Sequence, residues 1–162
     1  MRLGVAKALV GDKWVAGDVE VVDGRVAAVG LGAPSGTKLA VPGFVDLQVN
    51  GYAGVDFSAP GEDGYARAGA RLLADGVTAF QPTIVTAPSE QMTAALGAVA
   101  AASGGSAGAP IGEAGRSGGD DPTAASDAGT GGPRIIGAHL EGPFLSRERA
   151  GAHDRAALRD PD

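Results

Sequence analysis

Very few side chains in this 162-residue sequence could perform acid–base or metal chemistry. The only histidines are His139 and His153, and the absence of cysteine excludes disulfides and thiolate metal sites. Four acidic residues lie near the ends of predicted strands: Asp46, Asp56, Glu141 and Asp154. Carboxylates and imidazoles can bind divalent cations and exchange protons with substrates, so these residues are compatible with a hydrolytic or a binding domain that has an acid at a strand end.

Glu141 is the best placed of these acids. Residues 134–141 are predicted to form a strand that ends at Gly142-Pro143, and active sites of parallel α/β folds gather at the carboxyl ends of strands. From placement alone, Glu141 can bind a metal, act as a base or only accept backbone hydrogen bonds. His139 is typical of a hydrogen-bonded interior histidine, with a role as a ligand as the alternative. His153, in a glycine-bearing loop, fits a solvated surface residue, with a functional role as the alternative.

Other function classes find no support in the sequence. It lacks a phosphate-binding P-loop, a dinucleotide-binding glycine motif and a nucleophile elbow. The net charge of −6 and the absence of a Lys/Arg cluster argue against a nucleic-acid partner. No apolar run approaches the roughly 20 residues that span a bilayer, and the first residues lack a signal-peptide core. A cytoplasmic protein without a membrane partner is therefore expected.

The hydrophobic pattern predicts two regions. Residues 1–41 read as a small β module with short strands, including a hairpin around Asp23-Gly24. From residue 42, the pattern alternates between strands at 44–50, 77–81 and 134–141 and helices at 62–75 and from Thr86 onward. This order predicts a parallel sheet, either a small open α/β sheet or a larger barrel cut short.

The pattern predicts three further details of these elements. On the first strand, alternation predicts one polar face and one apolar face, with the apolar face packed beneath helices. The first face carries Phe44, Asp46, Gln48 and Asn50 and grows more polar toward the carboxyl end, and the apolar face carries Val45, Leu47 and Val49. On the second helix, a core stripe is predicted at Met92, Leu96 and Val99. Residues 103–133, glycine-rich and nearly free of large apolar side chains, are predicted to be a disordered insert, or else a segment that folds on binding.

Three segments together resemble the N-acetylglucosamine-6-phosphate deacetylases of the amidohydrolase superfamily. These are residues 41–57, residues 76–83, and the run His139-Leu-Glu-Gly-Pro-Phe144 followed by Gly151-Ala-His153. The resemblance implies an α/β fold in which residues 42–162 form the first three strands of an incomplete (β/α)8 TIM-type barrel. Residues 1–41 would then be part of the small β-sandwich that precedes the barrel in that superfamily.

The resemblance also assigns roles to individual residues. Glu141 matches the family's metal-ligating glutamate, and Ala152 and His153 match its substrate-contacting pair. Gln48 and Asn50 stand where the wider superfamily has His-x-His. Because neutral amides are poorer transition-metal ligands than imidazoles, this substitution favours one divalent ion, expected to be zinc, over two.

The function implied is a metal-dependent hydrolase of amino-sugar metabolism. It would remove the N-acetyl group from N-acetylglucosamine 6-phosphate, a small-molecule partner, to give glucosamine 6-phosphate and acetate. The family's two histidine ligands and its catalytic aspartate lie on later strands, beyond residue 162, so no catalytic residue is assigned here. This fragment is expected to be inactive alone, whereas the full-length enzyme is expected to be a homodimer. The alternatives are an N-acetylgalactosamine-6-phosphate deacetylase, another amidohydrolase, or a non-enzymatic truncated remnant.

Overall fold

The structure, a computed structural model, describes residues 1–32, 36–104 and 132–161. The chain divides into two compact units, Met1–Gly43 and Phe44–Asp162. The predicted insert at 103–133 lies outside the described residues from 105 to 131. Among the helices of the described part, none is long and apolar enough to cross a membrane.

In its described residues, 1–32 and 36–43, the first unit has five short strands. They are β1 (Lys7–Val10), β2 (Lys13–Ala16), β3 (Asp18–Val22), β4 (Arg25–Leu31) and β5 (Leu39–Ala40). β1 pairs antiparallel with β2 and parallel with β5, and β3 forms an antiparallel hairpin with β4. Asp23 and Gly24 both have positive φ, 50° and 72°, as a two-residue hairpin turn requires, so the hairpin predicted there is confirmed. Val5, Ala8 and Val19 form the small core of the first unit.

The second unit carries the helices and a parallel sheet. Its elements are β6 (Phe44–Val49), β7 (Gly51–Tyr52), β8 (Val55–Asp56), α1 (Gly64–Ala74), β9 (Val77–Val85), α2 (Ser89–Ala102), β10 (Arg134–Ile135) and β11 (His139–Glu141). β9 lies at the centre, with β6 on one side and both β10 and β11 on the other. All three pairings are parallel, which confirms the predicted parallel sheet. Their carboxyl ends therefore share one edge.

Both helices pack on this sheet through apolar faces. Leu72 and Ala68 of α1 join Phe57, Phe80 and Val49 in one buried cluster. Gly76, with φ of 91°, follows α1 directly and reverses the chain into β9, as the predicted helix end requires. The first helix is therefore confirmed, and the second strand runs four residues beyond its predicted end.

The stripe predicted on α2 is partly wrong. Met92 and Val99 are buried, but Leu96 is 36% exposed, and Ala95 takes its place in the core beside Ile84. Residues at i+3 and i+4 both lie near the face of residue i, so spacing alone does not decide between them.

Two strand predictions also need correction. The apolar face predicted for the first strand is buried only at Val49, whereas Val45 and Leu47 are 56% and 58% exposed. Among the described residues, β6 is paired only with β9, so no further strand or helix covers them. The third strand is two pieces, β10 and β11, because Gly137 interrupts it with a φ of 149°.

Candidate active site

Glu141 is the last residue of β11 and pairs with Val85, the last residue of β9. Its side chain is 34% exposed and is directed toward polar groups from the neighbouring strand ends. Asn50 follows the last residue of β6, so the sheet brings the ends of three consecutive parallel strands to this carboxylate.

Two side-chain amides contact this carboxylate: that of Gln48, in β6, and that of Asn50, the residue after β6. Asn50 Nδ2 lies 3.3 Å and Gln48 Nε2 lies 3.5 Å from Glu141 Oε2. Both distances are long for hydrogen bonds, so the carboxylate is oriented without being tightly clamped. The hydrogen bond from Asn50, followed by that from His153, holds the pKa of Glu141 below its usual value against partial desolvation. The group is therefore an anion at neutral pH.

His153 approaches the same carboxylate from a turn after β11. The turn is closed by a hydrogen bond from the His153 backbone N–H to the Ala150 carbonyl oxygen, 3.0 Å, and Ala150 is itself buried. Gly151, with φ of 58°, allows the reversal. The His153 side chain is only 11% exposed, and its Nε2 lies 3.3 Å from Glu141 Oε1. His153 is thus mostly buried, which the reading as a solvated surface histidine did not anticipate.

Thr86 completes this group of side chains, and sequence reasoning assigned it no role in the site. It follows β9 directly and is 5% exposed. Its Oγ1 lies 2.9 Å from His153 Nδ1 and donates to the Glu141 carbonyl oxygen at 3.0 Å. The second helix was predicted to start at Thr86, but α2 begins at Ser89. No sequence signal marked it, because the second strand was predicted to end at residue 81, whereas β9 runs to Val85.

The structure thus brings Gln48, Asn50, Glu141 and His153 together with Thr86. Ala152, the other residue matched to substrate contact, is exposed in the turn beside His153. The remaining acids bind nearby backbone N–H groups: Asp46 that of Gln48, Asp56 that of Ser58 and Asp154 that of Ala156. His139 lies half-buried on β11, opposite Thr83. The functional roles assigned to these residues stay predictions.

The described residues do not form a complete metal site. Among them, no group of three His, Cys, Asp or Glu side chains is placed to hold an ion. A catalytic zinc site needs about three protein ligands, and Glu141 is one exposed anionic oxygen donor with neutral amides beside it. The arrangement therefore fits one ligand position of a site that needs further ligands.

Known proteins with similar sequences and structures share one description. An N-acetylglucosamine-6-phosphate deacetylase from Rattus norvegicus is 41% identical over 127 residues, which cover 76% of this chain and 25% of the relative. A variant of the Mycobacterium smegmatis N-acetyl-D-glucosamine-6-phosphate deacetylase, solved with N-acetyl-D-glucosamine-6-phosphate, matches at a TM-score of 0.72 and 34% identity. The Thermotoga maritima deacetylase matches at a TM-score of 0.70 and 26% identity.

Each of these two structures is matched over 100% of this chain and 38% of its own. The chain spans a quarter of the length of the curated relative. No model of a known protein family matches it. The resemblance predicted from the His-Leu-Glu-Gly-Pro-Phe run and its companion segments is confirmed by these relatives. The chain therefore belongs to the N-acetylglucosamine-6-phosphate deacetylase family, of whose longer members it matches the amino-terminal part.

Proposed function

We propose that this chain supplies the amino-terminal part of a metal-dependent hydrolase acting on N-acetylglucosamine 6-phosphate. The reaction hydrolyses the acetamide bond and yields glucosamine 6-phosphate and acetate. The observation that carries the proposal is the convergence of Gln48, Asn50, Glu141 and His153 from separate segments at one sheet edge. The shared description of the relatives supports the choice of substrate.

The proposal includes an architecture for the whole enzyme. Strands β6, β9 and the pair β10–β11 are the first three strands of a (β/α)8 barrel, and the first unit is part of a small β-sandwich. The parallel order of the three strands supports this view. So does the exposure of Val45 and Leu47, which elements of a closed barrel would cover. The whole enzyme would be a cytoplasmic homodimer.

The proposed cofactor is one divalent ion, zinc, with Glu141 as the ligand that this chain contributes. Such an ion supplies Lewis-acid polarisation and an activated water. This chain's own residues have a different task. The amides of Asn50 and Gln48 keep the Glu141 carboxylate ionised and pointed across the sheet edge, and His153 presents a ring nitrogen beside it. Together they form a polar surface able to orient an acetamide.

A catalytic zinc site needs about three protein ligands, and the described residues of this chain supply one in Glu141. We therefore expect the chain alone to be inactive. We expect no acetate release from N-acetylglucosamine 6-phosphate by residues 1–162, with or without added zinc. A graft of these residues onto the remaining part of the Mycobacterium smegmatis enzyme, to which they are 34% identical, should restore metal-dependent release. A folded graft that releases no acetate with any divalent ion would contradict the proposal. So would zinc-dependent turnover by the isolated chain, since it would mean that no further ligands are needed.

A further inference from the structure

Tyr52 forms a short hydrogen bond with a carboxylate at the end of α1. Its phenolic hydroxyl donates to Asp75 Oδ2 at 2.6 Å, and Arg71 donates to both oxygens of the same carboxylate, at 2.9 and 3.0 Å. The hydrogen bond between Tyr52 and Asp75 raises the pKa of the phenol and lowers the pKa of the carboxyl group. At neutral pH the phenol therefore donates to an ionised acceptor, which gives a stronger hydrogen bond than a neutral acceptor would.

The hairpin that carries Tyr52 is small. Its strands, β7 and β8, share only two residue pairs, Gly51 with Asp56 and Tyr52 with Val55. An isolated two-stranded hairpin is at best marginally stable in water, so its position depends on what it packs against. Val55 is buried in the core cluster that contains Leu72 of α1, and the Tyr52 ring packs against the same cluster. The hydroxyl contact adds a directional anchor to this apolar packing.

Asn50 lies directly between this hairpin and β6. Val49 ends β6 and Gly51 begins β7. The Asn50 carbonyl oxygen accepts a hydrogen bond of 3.1 Å from the N–H of Phe57, the residue after β8. The Asn50 side-chain Nδ2 lies 3.3 Å from Glu141 Oε2. A displaced hairpin would therefore move the Asn50 backbone and lengthen a side-chain contact that is already long.

We propose that Tyr52 is a positioning residue of the candidate site: by donating to Asp75, it anchors the β7–β8 hairpin on α1 and so holds the Asn50 amide against the Glu141 carboxylate. The inference rests on the proposed function for its meaning in catalysis. Tyr52 acts through the backbone that it shares with Asn50, two residues earlier. Loss of its hydroxyl therefore loosens the amide while every side chain at the sheet edge is retained.

The test is the ¹⁵N–¹H spectrum of the Asn50 side-chain amide in the 162-residue chain. An amide proton held against a carboxylate resonates downfield of one that water solvates. We expect Tyr52→Phe, which keeps the ring and removes only the hydroxyl, to shift this proton upfield. Asp75→Ala removes the acceptor instead and should produce the same shift, and the double variant should add nothing to it. Ser103→Ala, which removes a hydroxyl hydrogen bond at the end of α2, should leave the signal unmoved.

Unmoved Asn50 signals in a folded Tyr52→Phe chain would overturn the inference. So would a wild-type chain whose Asn50 amide already has the shifts of a solvated amide, or shifts that add in full in the double variant. Asp75→Ala decides the matter if Tyr52→Phe fails to fold, since the Asp75 side chain is 33% exposed and its loss leaves no buried cavity. Because these readings need no turnover, an inactive graft would count against the proposed function alone.

Discussion

Glu141 and Asp18, one in each unit, show two different ways in which hydrogen bonds hold a carboxylate in its ionised form. The Glu141 side chain is 34% exposed and receives long contacts from other side chains, so its carboxylate stays accessible to an incoming ligand. Asp18 is 3% exposed and receives two short contacts from backbone N–H groups, of Val5 at 3.0 Å and Val19 at 2.8 Å. The long side-chain contacts of Glu141 suit a carboxylate with a functional role. The short backbone contacts of the buried Asp18 suit a carboxylate that stabilises the fold.

Asp18 should make the first unit sensitive to acid. The hydrogen bond from Val5, above all, holds the pKa of Asp18 below its ordinary value of 3.8. Because the folded pKa lies below the unfolded one, the stabilisation is fully present above pH 3.8 and is lost as the pH falls through the folded pKa. A ¹³C titration of the carboxyl group should show a midpoint below 3.8.

The same account predicts how two variants differ in stability. Asp18→Asn should destabilise the first unit most above pH 3.8, with the difference from wild type shrinking in stronger acid. Asp12→Asn, at an exposed turn of the same unit, is the matched control and should change little. Equal effects of the two substitutions at neutral pH in denaturant unfolding would show that the buried contacts of Asp18 do not stabilise the unit.

Gly142 should tolerate no side chain. Gly142→Ala places a Cβ where Thr86 Oγ1 lies and forces a residue with a side chain to a φ of 98°. Backbone strain of this kind costs about 1–3 kcal/mol, and the displaced Thr86 adds to it. Gly97→Ala is the control, since Gly97 lies in open space on α2 and alanine there should stabilise by about 0.5–1 kcal/mol. Denaturant unfolding that ranks the two variants the other way would contradict this view.

Residue types at strand ends made much of the candidate site predictable. Glu141 and Asn50 could be found because parallel strands bring their carboxyl ends to one edge. His153 was assigned by family resemblance, and only the turn closed on Ala150 explains its burial. Thr86 could not be found in this way, because a threonine before Ala-Pro-Ser is also typical of a helix start. Its placement against the Glu141 backbone depends on the vacant Cβ position at Gly142, which no local pattern shows.

At the scale of elements, the parallel sheet is held together by the packing of α1 and α2 on β9. Tyr65 of α1 contacts both core clusters, and its hydroxyl donates to the Phe57 carbonyl oxygen at 3.3 Å. Burial raises the pKa of Tyr65 to about 12, so the hydroxyl stays protonated and remains a donor. This hydrogen bond thereby links α1 to Phe57, the residue that follows β8.

Adjacent leucines on α1 provide a direct test of this packing. Leu72 is 1% exposed, whereas Leu73 is 40% exposed. Leu72→Ala should lower the free energy of unfolding of the second unit by about 2–5 kcal/mol, since it leaves a cavity between α1 and the sheet. Leu73→Ala should cost about 1 kcal/mol or less. Similar losses in denaturant unfolding would mean that α1 does not pack on the sheet through its Leu72 face.

Element types were predictable where a turn residue and a periodic pattern agreed, as at Gly76 after α1 and Asp23-Gly24 between β3 and β4. The break in the third strand was not, because a single glycine is also tolerated within a strand. The burial of β6 was not predictable either. Alternation defines which residues share a face, but the elements that cover that face are set by tertiary structure.

At the scale of the whole molecule, the second unit has an edge that its described residues leave uncovered. Phe44, Val45 and Leu47 of β6 are each more than half exposed. β6 has β9 as its only strand neighbour among the described residues. The chain matches 38% of the length of the solved relatives, and in the proposed barrel the elements of the remaining part would cover this edge.

The central claim is that Glu141 belongs to a deacetylase site that this chain completes only together with later strands. The most direct test is the rate of acetate release from N-acetylglucosamine 6-phosphate by the graft onto the Mycobacterium smegmatis enzyme, before and after Glu141→Gln. We expect a loss of roughly a hundred-fold or more, since even groups that only support metal ligands contribute about 10–100-fold. Glu90→Gln, the same change at an exposed position of α2, should leave the rate unchanged. A Glu141→Gln graft that keeps the full rate would contradict the account.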